Sequence, residues 1–545
     1  CMGYRDQQPV LNDQQRRIVD TVTGDYRQGI RKTYLIHGVT GSGKTEVYMG
    51  IIEKVIAEHK QVIVLIPEIA LTFQTVSRFY RRFGERVSVM HSRLSQGEKF
   101  DQFERAKAGE IDIMIGPRSA LFTPFEHLGL IVIDEEHETS YQSEMPPKYH
   151  AREVAVHRAS MVGASVILGS ATPSLESYYR AQKGRYTLFT LTKRAGGASL
   201  PKVWVTDLRE ELERKNRSIF GGKLMELMQD RLAKKEQIIL FLNRRGYAGS
   251  VSCRKCGEVI KCPHCSVSMT AHMHYGRLEH LVCHYCGYQA TMPALCPKCR
   301  SRYIGTFGIG TQKVEQLVRE RFPQARVLRM DADTTTGKEG HEKILRDFAA
   351  GSADILIGTQ MIVKGHDFPN VTLVGILAAD LSLNVGDFRA AERTYQLLAQ
   401  AAGRAGRGEK PGDVVLQTYQ PEHYSIVSAA KQDYLGFYEQ ELIQRQILHY
   451  PPVSNILGVL VLSEQRGHAQ ELADRLAEQM RRYEQVVILG PAPASLSKAK
   501  DVYRYVIYAK CADYRILRQI KNGLEQYMKA QETYRDFRLQ FDFNL

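Results

Sequence analysis

A glycine-rich string, GVTGSGKT at Gly38–Thr45, and an arginine-bearing string, QAAGRAGR at Gln400–Arg407, stand far apart in this chain, with four Cys-x-x-Cys pairs from Cys253 to Cys299 between them. That order constrains the fold more than any other feature. The first string needs a strand, a tight loop and the start of a helix in succession. The cysteines need a small module folded around metal. The arginines, to reach the same phosphates, must come from a facing surface. A chain built this way has two lobes and a metal-stapled insertion.

The organisation along the chain agrees. From Lys32 to about Thr192, short apolar runs (TYLIHG, QVIVLIPE, IDIMIG, LIVIDEE, SVILGSATPS) alternate with amphipathic stretches. Such runs, each ending in polar residues or glycine, predict buried parallel strands with crossover helices. The same grammar returns in QIILFLNRR before the cysteines and in ARVLRMD, DILIGTQ, TLVGILAAD and DVVLQTY after them, so the cysteine block interrupts the second lobe. After Tyr450-Pro451-Pro452 the pattern becomes strand, helix, strand, strand, helix, strand, which predicts a small α+β domain. The expected fold class is α/β, with two parallel-sheet lobes, a two-metal insertion in the second and an α+β domain at the end. The expected boundaries are 1–10 as a linker remnant, 11–193 as the first lobe, 194–250 with 303–430 as the second, 251–302 as the insertion and 431–545 as the last domain. Beyond the two lobes no repeat is expected.

Charge narrows the partners. The 545 residues carry 74 Lys+Arg against 60 Asp+Glu, a net +14, which favours a polyanion such as nucleic acid or an anionic membrane surface. A membrane-spanning partner role is not expected, because runs such as Val371–Ala379 fall short of the ~20 apolar residues a spanning helix needs. Eight of the ten cysteines sit in Cys-x-x-Cys pairs, which reads as metal binding in a reducing cytoplasm rather than as disulfides. No secretory signal opens the chain, and Cys1 in place of Met suggests a fragment or a processed chain.

In Gly38–Thr45 the residues Gly38, Thr40, Gly41, Ser42 and Gly43 form the expected phosphate cradle, because glycines let backbone N–H groups turn inward at a helix N-terminus. Lys44 would meet the β- and γ-phosphates of ATP, and the Thr45 hydroxyl would ligate Mg²⁺. The strand LIVI delivers Asp134-Glu135-Glu136-His137. Asp134 at the strand end can hold Mg²⁺ through water, and Glu135 can polarise an attacking water. Arg404 and Arg407, three apart, suit arginine fingers acting from the opposite lobe.

The cysteine spacing favours a nested pairing, with Cys262/Cys265 joined to Cys283/Cys286 and Cys253/Cys256 joined to Cys296/Cys299 as two closed, structural Cys₄ zinc sites. Pairing of neighbours in sequence, or an iron–sulfur cluster, remains open. His264 and His284 are spectators if the Cys₄ sets are complete. Seven Lys/Arg against two Asp/Glu between Val251 and Arg302 make the module basic, fit for a nucleic-acid wedge or a docking surface.

Taken together, these strings resemble superfamily 2 helicases, and within them the primosomal replication-restart helicase family. The resemblance runs from about Leu11 onward. It rests most on LIPEIALT (Leu65–Thr72), GPRSALFTPF (Gly116–Phe125), DEEH, GSATPSLES, FLNRRGY (Phe241–Tyr247), the eight cysteines, GIGTQKVEQ and ILIGTQMIVKGHDFPNVTLVG. It implies RecA-like lobes and ATP-dependent 3′→5′ unwinding at forked or stalled replication structures. It also implies partners in primosome proteins, the machinery that loads the replicative helicase and single-stranded-DNA-binding protein.

Carried over by motif, Gln15 would read adenine. Gly365 and Asp367 would sit near nucleotide, with Gln400, Arg404 and Arg407 completing the site. Ser170 and Thr172 would couple hydrolysis to lobe movement. Gly116–Arg118 and Gly358–Gln360, including Arg118, Thr359 and Gln360, would contact the single strand. Tyr141, Tyr149, His150 and Arg152 resemble an aromatic-rich DNA loop, suited to stacking on bases. Arg504, Lys510 and Arg515 would be further DNA contacts in a ribosomal-protein-like last domain. The family's N-terminal DNA-binding region finds no counterpart before Leu11, so recognition of a nascent 3′ end is not expected of this chain. The competing readings are a zinc-stabilised fork-binding scaffold with incidental hydrolysis and an RNA-directed or duplex-translocating ATPase.

Overall fold

The computed structural model describes residues 10–71, 73–194, 200–242, 250–274, 277–306, 310–331, 334, 340–359, 362, 368–406, 410–499, 501–530 and 537–544. The chain divides into two compact units, one of Cys1–Leu200 with Val363–Pro369 and Gly406–Pro411, the other of the remainder.

The first unit holds seven strands: β1 (Thr33–Gly38), β2 (Gln61–Leu65), β3 (Val87–Val89), β4 (Ile113–Gly116), β5 (Leu128–Asp134), β6 (Ser165–Ser170) and β7 (Thr187–Leu191). They pair in parallel in the order β3-β4-β2-β5-β6-β1-β7. Every residue of β2 and β6 is buried, as expected of strands covered by helices on both faces. The core joins Ile36, Val64, Val132 and Ile167 of the sheet to Val47, Ile51 and Val55 of the helix Lys44–Ala57. Each such side chain contributes about 1.5–3 kcal/mol by leaving water.

In the second unit β8 (Lys202–Asp207) and β9 (Gln237–Leu242) come first. The chain then departs into the cysteine module: β10 (Val251–Cys253), β11 (Thr270–His274), β12 (Arg277–Val282), β13 (Gln289–Ala290) and β14 (Ile304–Thr306). It resumes with β15 (Val327–Met330), β16 (Ile355–Gly358), β17 (Val371–Leu377) and β18 (Asp413–Thr418). The parallel order is β15-β16-β9-β17-β18-β8. Strand for strand this repeats β3-β4-β2-β5-β6-β1 of the first unit, and the cysteine module occupies the crossover that corresponds to β2–β3. The likeness reaches single residues. A Cβ on Gly116 at the end of β4 would stand 2.7 Å from the Met90 carbonyl, and one on Gly358 at the end of β16 would stand 2.7 Å from the Met330 carbonyl.

The chain ends in an antiparallel sheet of β19 (Asn455–Ser463), β20 (Val487–Ala499), β21 (Val502–Cys511) and β22 (Arg538–Phe543), in the order β20-β21-β19-β22. Leu457, Val459 and Val461, alternate residues of β19, pack on Leu472 and Leu476 of helix Arg466–Arg481 and on Leu517 and Ile520 of helix Tyr514–Ala530. This is the β-α-β-β-α-β arrangement, and it bears out the strand and helix order read from the sequence.

The helix Tyr434–Ile447, which precedes this sheet in the chain, packs on helices Ala390–Ala402 and Tyr424–Lys431. Its Arg445, fully buried, donates from Nε to Glu441 (2.6 Å), from Nη1 to the Pro451 carbonyl (2.7 Å) and from Nη2 to Glu392 (3.0 Å). A buried charge with three partners is tolerable, and one partner removed is not. Arg445→Met leaves two carboxylates buried without their cation and is expected to lower stability by about 3–5 kcal/mol in denaturant unfolding.

Candidate active site and metal centres

Parallel strands place their useful loops at their carboxyl ends. In the first unit β5, β6 and β1 are neighbours, so the Asp134 end, the Ser170 end and the Gly38 loop meet. Gly41 and Gly43 have φ of 80° and 79°, left-handed values that glycine adopts without strain, and Gly43 opens the helix Lys44–Ala57. A Cβ on Gly38 would meet Ser42 Oγ at 2.5 Å, so the loop closes only around glycine. Ser42 Oγ is buried and without a hydrogen-bond partner among the described residues. Lys44, buried, donates to its own loop at Gly38 O (3.0 Å). Thr40 and Thr45 are half-buried. A cradle of glycines with an inward lysine and an orphan hydroxyl fits phosphate.

Asp134 is held by two tyrosines. Tyr48, four residues past Lys44 and so on the same helical face, donates from its hydroxyl to Asp134 Oδ1 (3.1 Å). Tyr141 donates to the Asp134 carbonyl (2.8 Å). The Tyr48 hydroxyl passes through space kept open by Gly169, whose Cβ it would otherwise overlap. Loss of water around the carboxyl group, with the Glu135 charge beside it, pushes Asp134 up to about 6. Glu135 takes a left-handed φ of 47° and lies 3.6 Å from His137 Nδ1. His137 Nδ1 is in turn hydrogen-bonded to the Ser170 hydroxyl at 2.6 Å. The end of β6 thus touches the acidic string directly.

Glu136 has a separate task. It is fully buried and accepts from Ser174 N (2.6 Å), Ser174 Oγ (3.0 Å), Ser177 Oγ (2.7 Å) and Arg152 Nη1 (3.1 Å). This corrects two expectations. Arg152, read as a DNA contact, is buried on Glu136, and Tyr141, read as a stacking residue, is buried on Asp134. His150 caps the helix Ala151–Val162 by accepting from Arg152 N (3.1 Å). Arg118 and Tyr149 do come together, with the guanidinium 5.5 Å from the ring centre. Phe122 meets Tyr149 edge-on at 5.6 Å.

Gln15 has both ends of its amide engaged, accepting from Asn12 N (2.9 Å) and donating to Ser42 O (2.9 Å), so it braces the phosphate loop. Sequence reasoning missed Tyr48, Glu136, Ser174, Ser177 and Gly169. Only the i,i+4 spacing of Lys44 and Tyr48 offered a signal.

In the second unit Gln400 is half-buried in helix Ala390–Ala402, and Arg404 is half-buried in the turn that follows, its N–H bonded to Ala401 O (3.1 Å). The helix ends one turn earlier than the arginine spacing suggested. Thr359 is half-buried just past β16. Gln360, Gly365, Asp367 and Arg407 lie outside the described residues. Of the expected contacts in the last domain, Arg504 is half-buried, Arg515 pairs with Asp513 (2.8 Å) and Lys510 is buried, donating to Leu448 O (3.1 Å). Burial pulls the Lys510 ammonium down to about 8.

The eight cysteines form two clusters with the nested pairing: Cys253, Cys256, Cys296, Cys299 and Cys262, Cys265, Cys283, Cys286. One turn is used four times. After each pair, the N–H of Gly257, Ser266, Gly287 or Arg300 returns to the first cysteine's carbonyl at 2.8–2.9 Å. Those four residues have φ of 74°, 57°, 79° and 57°. Four sulfurs around one zinc at about 2.3 Å stand about 3.8 Å apart in a tetrahedron, and the sulfurs of Cys253–Cys299, Cys256–Cys296 and Cys262–Cys286 stand 3.6–3.7 Å apart. Four thiols this close cannot all ionise without a cation between them. Hydrogen bonding from Cys265 holds Cys283 down to about 5, while burial pushes Cys262 up to about 11. The donor set therefore fits zinc in both clusters.

A phosphate loop and acidic string on one parallel sheet, repeated topology in a second and a Cys₄ insertion define a two-lobed helicase fold. Family comparisons agree: a DEAD/DEAH box helicase profile matches residues 12–181, and a helicase conserved C-terminal domain matches 302–409. The PriA DNA helicase Cys-rich region matches 262–290, and the primosomal protein N C-terminal domain matches 446–544. Replication restart protein PriA of Bacillus subtilis is 49% identical over 525 residues, which cover 96% of this chain and 65% of the relative. The Synechocystis protein is 44% identical, covering 92% of this chain and 61% of the relative. The Treponema pallidum protein is 39% identical, covering 97% and 79%. The chain belongs to the PriA family. It spans 61–65% of the length of the first two relatives.

Gly169→Ala is expected to cost about 1–3 kcal/mol by overpacking against Tyr48. Adding Tyr48→Phe, which removes the colliding hydroxyl, should restore part of the loss in thermal unfolding; no restoration would place the strain elsewhere.

Proposed function

We propose that this chain is the motor of a replication-restart helicase, hydrolysing ATP to unwind DNA 3′→5′ at forked or stalled replication structures and helping to reload the replicative helicase. The observation that carries the reading is the convergence of Lys44, Asp134, Glu135 and Ser170 at adjoining strand ends of one sheet. Membership of the PriA family and the net positive charge support DNA as the track. Primosome proteins, the helicase-loading machinery and single-stranded-DNA-binding protein are the partners we assign. Among the described residues no helix is long and apolar enough to cross a membrane; the cytoplasm is the location we assign. We assign 11–193 and 194–250 with 303–430 to the two lobes, 251–302 to the zinc insertion and 431–545 to the last domain.

In this reading Gly38, Thr40, Gly41, Ser42 and Gly43 hold the phosphates of ATP, and Lys44 turns from its own loop carbonyl to the β- and γ-oxygens. Thr45 and Asp134 would hold Mg²⁺, which would neutralise charge on the phosphates. Glu135 takes the proton of the attacking water, and Gln400, Arg404 and Arg407 stabilise the charge that develops. The His137–Ser170 bond transmits the state of the acidic string to β6 and on to Thr172. Arg118 with Tyr149, and Thr359 with Gln360, are the DNA contacts we retain. Tyr48 and Glu136 are positioning residues, one for Asp134 and one for the loop that follows β6.

Two measurements test this. Hydrolysis should rise strongly with forked DNA and vanish in Lys44→Ala; tight fork binding with no hydrolysis in either protein would leave a zinc-stabilised scaffold instead. A carboxyl raised to about 6 keeps its proton below that pH and offers its anion above it. Apparent Mg²⁺ affinity with a non-hydrolysable nucleotide should therefore fall as pH drops through 6, by at most about tenfold per unit for one proton. Asp134→Asn should bind weakly at every pH.

A further inference from the structure

The two Cys₄ clusters are alike as donor sets and differ in what stands behind them. Behind the first is the parallel sheet of the second lobe. Gly257, closing the Cys253–Cys256 turn, is packed so tightly against the end of β18 that a Cβ would overlap the Tyr419 carbonyl. Behind the second is a meeting of three parts of the chain. Cys262, Cys265 and Cys283 share one apolar cluster with Phe388, which precedes helix Ala390–Ala402, with Tyr450 and with Ile456 of β19. Tyr285, inside the Cys283–Cys286 turn, stacks on Tyr508 of β21 with ring centres 4.7 Å apart and meets Tyr450 edge-on at 6.3 Å. Phe388 stacks on Tyr450 at 4.6 Å, with planes 2° apart. The Arg445 guanidinium lies 4.7 Å over Phe388 and bonds Glu392 in the first turn of the helix that carries Gln400.

In this cluster sits a lysine without a carboxylate. Lys510 of β21 is 8% exposed, its Nζ lies 3.4 Å above the Tyr450 ring, and its hydrogen bond goes to Leu448 O. Among the described residues no Asp or Glu forms an ion pair with it. A buried ammonium needs a compensating negative charge. A zinc ion with four thiolates carries one, a net charge of two minus, and has the matching need for a cation.

We propose that the second Cys₄ site is the pin that holds the C-terminal sheet and helix Ala390–Ala402 to the zinc module, with Lys510 as the positioning residue that balances its thiolates. The first site anchors the module to the parallel sheet through the Gly257 turn. Loss of zinc from the second site therefore frees β21 and the helix Ala390–Ala402, which carries Gln400, and loss from the first leaves both in place. This rests on zinc occupying the clusters and is independent of the motor reading.

The test is zinc release from the full chain to a chromogenic chelator, in wild type, Lys510→Met and Lys510→Arg. Cys253→Ser/Cys256→Ser assigns the two equivalents. Lys510→Met keeps the apolar stem and should release the second-site zinc about tenfold faster or more, with the first site unchanged and Lys510→Arg close to wild type. Equal second-site release from wild type and Lys510→Met, or Lys510→Arg behaving as Lys510→Met, overturns the role of Lys510. Hydrogen exchange on wild type during staged chelation tests the pin without a substitution. Protection in β21 and in Ala390–Ala402 should fall with the second-site zinc and not with the first. A fall tied to the first site, or to neither, overturns the pin. A wild-type chain with no bound zinc overturns the metal assignment itself and leaves ATP hydrolysis to be judged separately.

Discussion

Parallel strands cannot be joined by a two-residue turn; each pair needs a crossover, and the crossovers cover both faces of the sheet. Most of what this molecule can do follows from that constraint. With the faces filled by helices, the open positions are the strand ends, and the order β5-β6-β1 makes the Asp134, Ser170 and Gly38 ends neighbours. The same constraint gives the second lobe its crossovers, and one of them has room for a whole module. The cysteine insertion lies where β2–β3 lies in the first unit, so it extends the lobe without breaking its strand order.

Within that frame, electrostatics sets the fine structure of the site. A carboxylate at a desolvated strand end is unfavourable unless donors face it. Asp134 has the Tyr48 hydroxyl, which reaches it only because residue 169 has no side chain. Glu136 has four donors and is sealed. Glu135, between them, has a weak contact with His137 at 3.6 Å and a left-handed backbone. Three adjacent acidic residues thus divide into a held one, a buried one and an available one, and only the environment distinguishes them.

The second unit repeats this logic with a larger buried charge. Arg445 joins Glu392 and Glu441 beneath Phe388, and Lys510 lies over Tyr450 in the cluster that holds three of the second site's cysteines. Breaking such a buried pair leaves an uncompensated charge, so each partner must be held in place. Here they sit where the helix Ala390–Ala402, the cysteine module and the C-terminal sheet meet.

Much of this is legible in the amino-acid sequence. The phosphate loop follows a short apolar run and opens a helix, the acidic string ends another, and four Cys-x-x-Cys pairs at their spacing nest into two sites. These signals are local, carried by residues close in the chain, and glycine and cysteine chemistry leaves them few alternatives. The aromatic-rich segment misleads for the opposite reason. Tyr141 and Arg152 look like surface residues in a loop, and only packing against Asp134 and Glu136 turns them inward. Lys510 likewise reads as an exposed basic residue on a strand and is buried by partners from distant segments. The sequence by itself determined the two-lobed class, which residues stand at the strand ends and the metal donors, because periodicity and motif spacing act over a few residues. Only the tertiary structure decided which charges face water, because desolvation is set by neighbours that meet through folding.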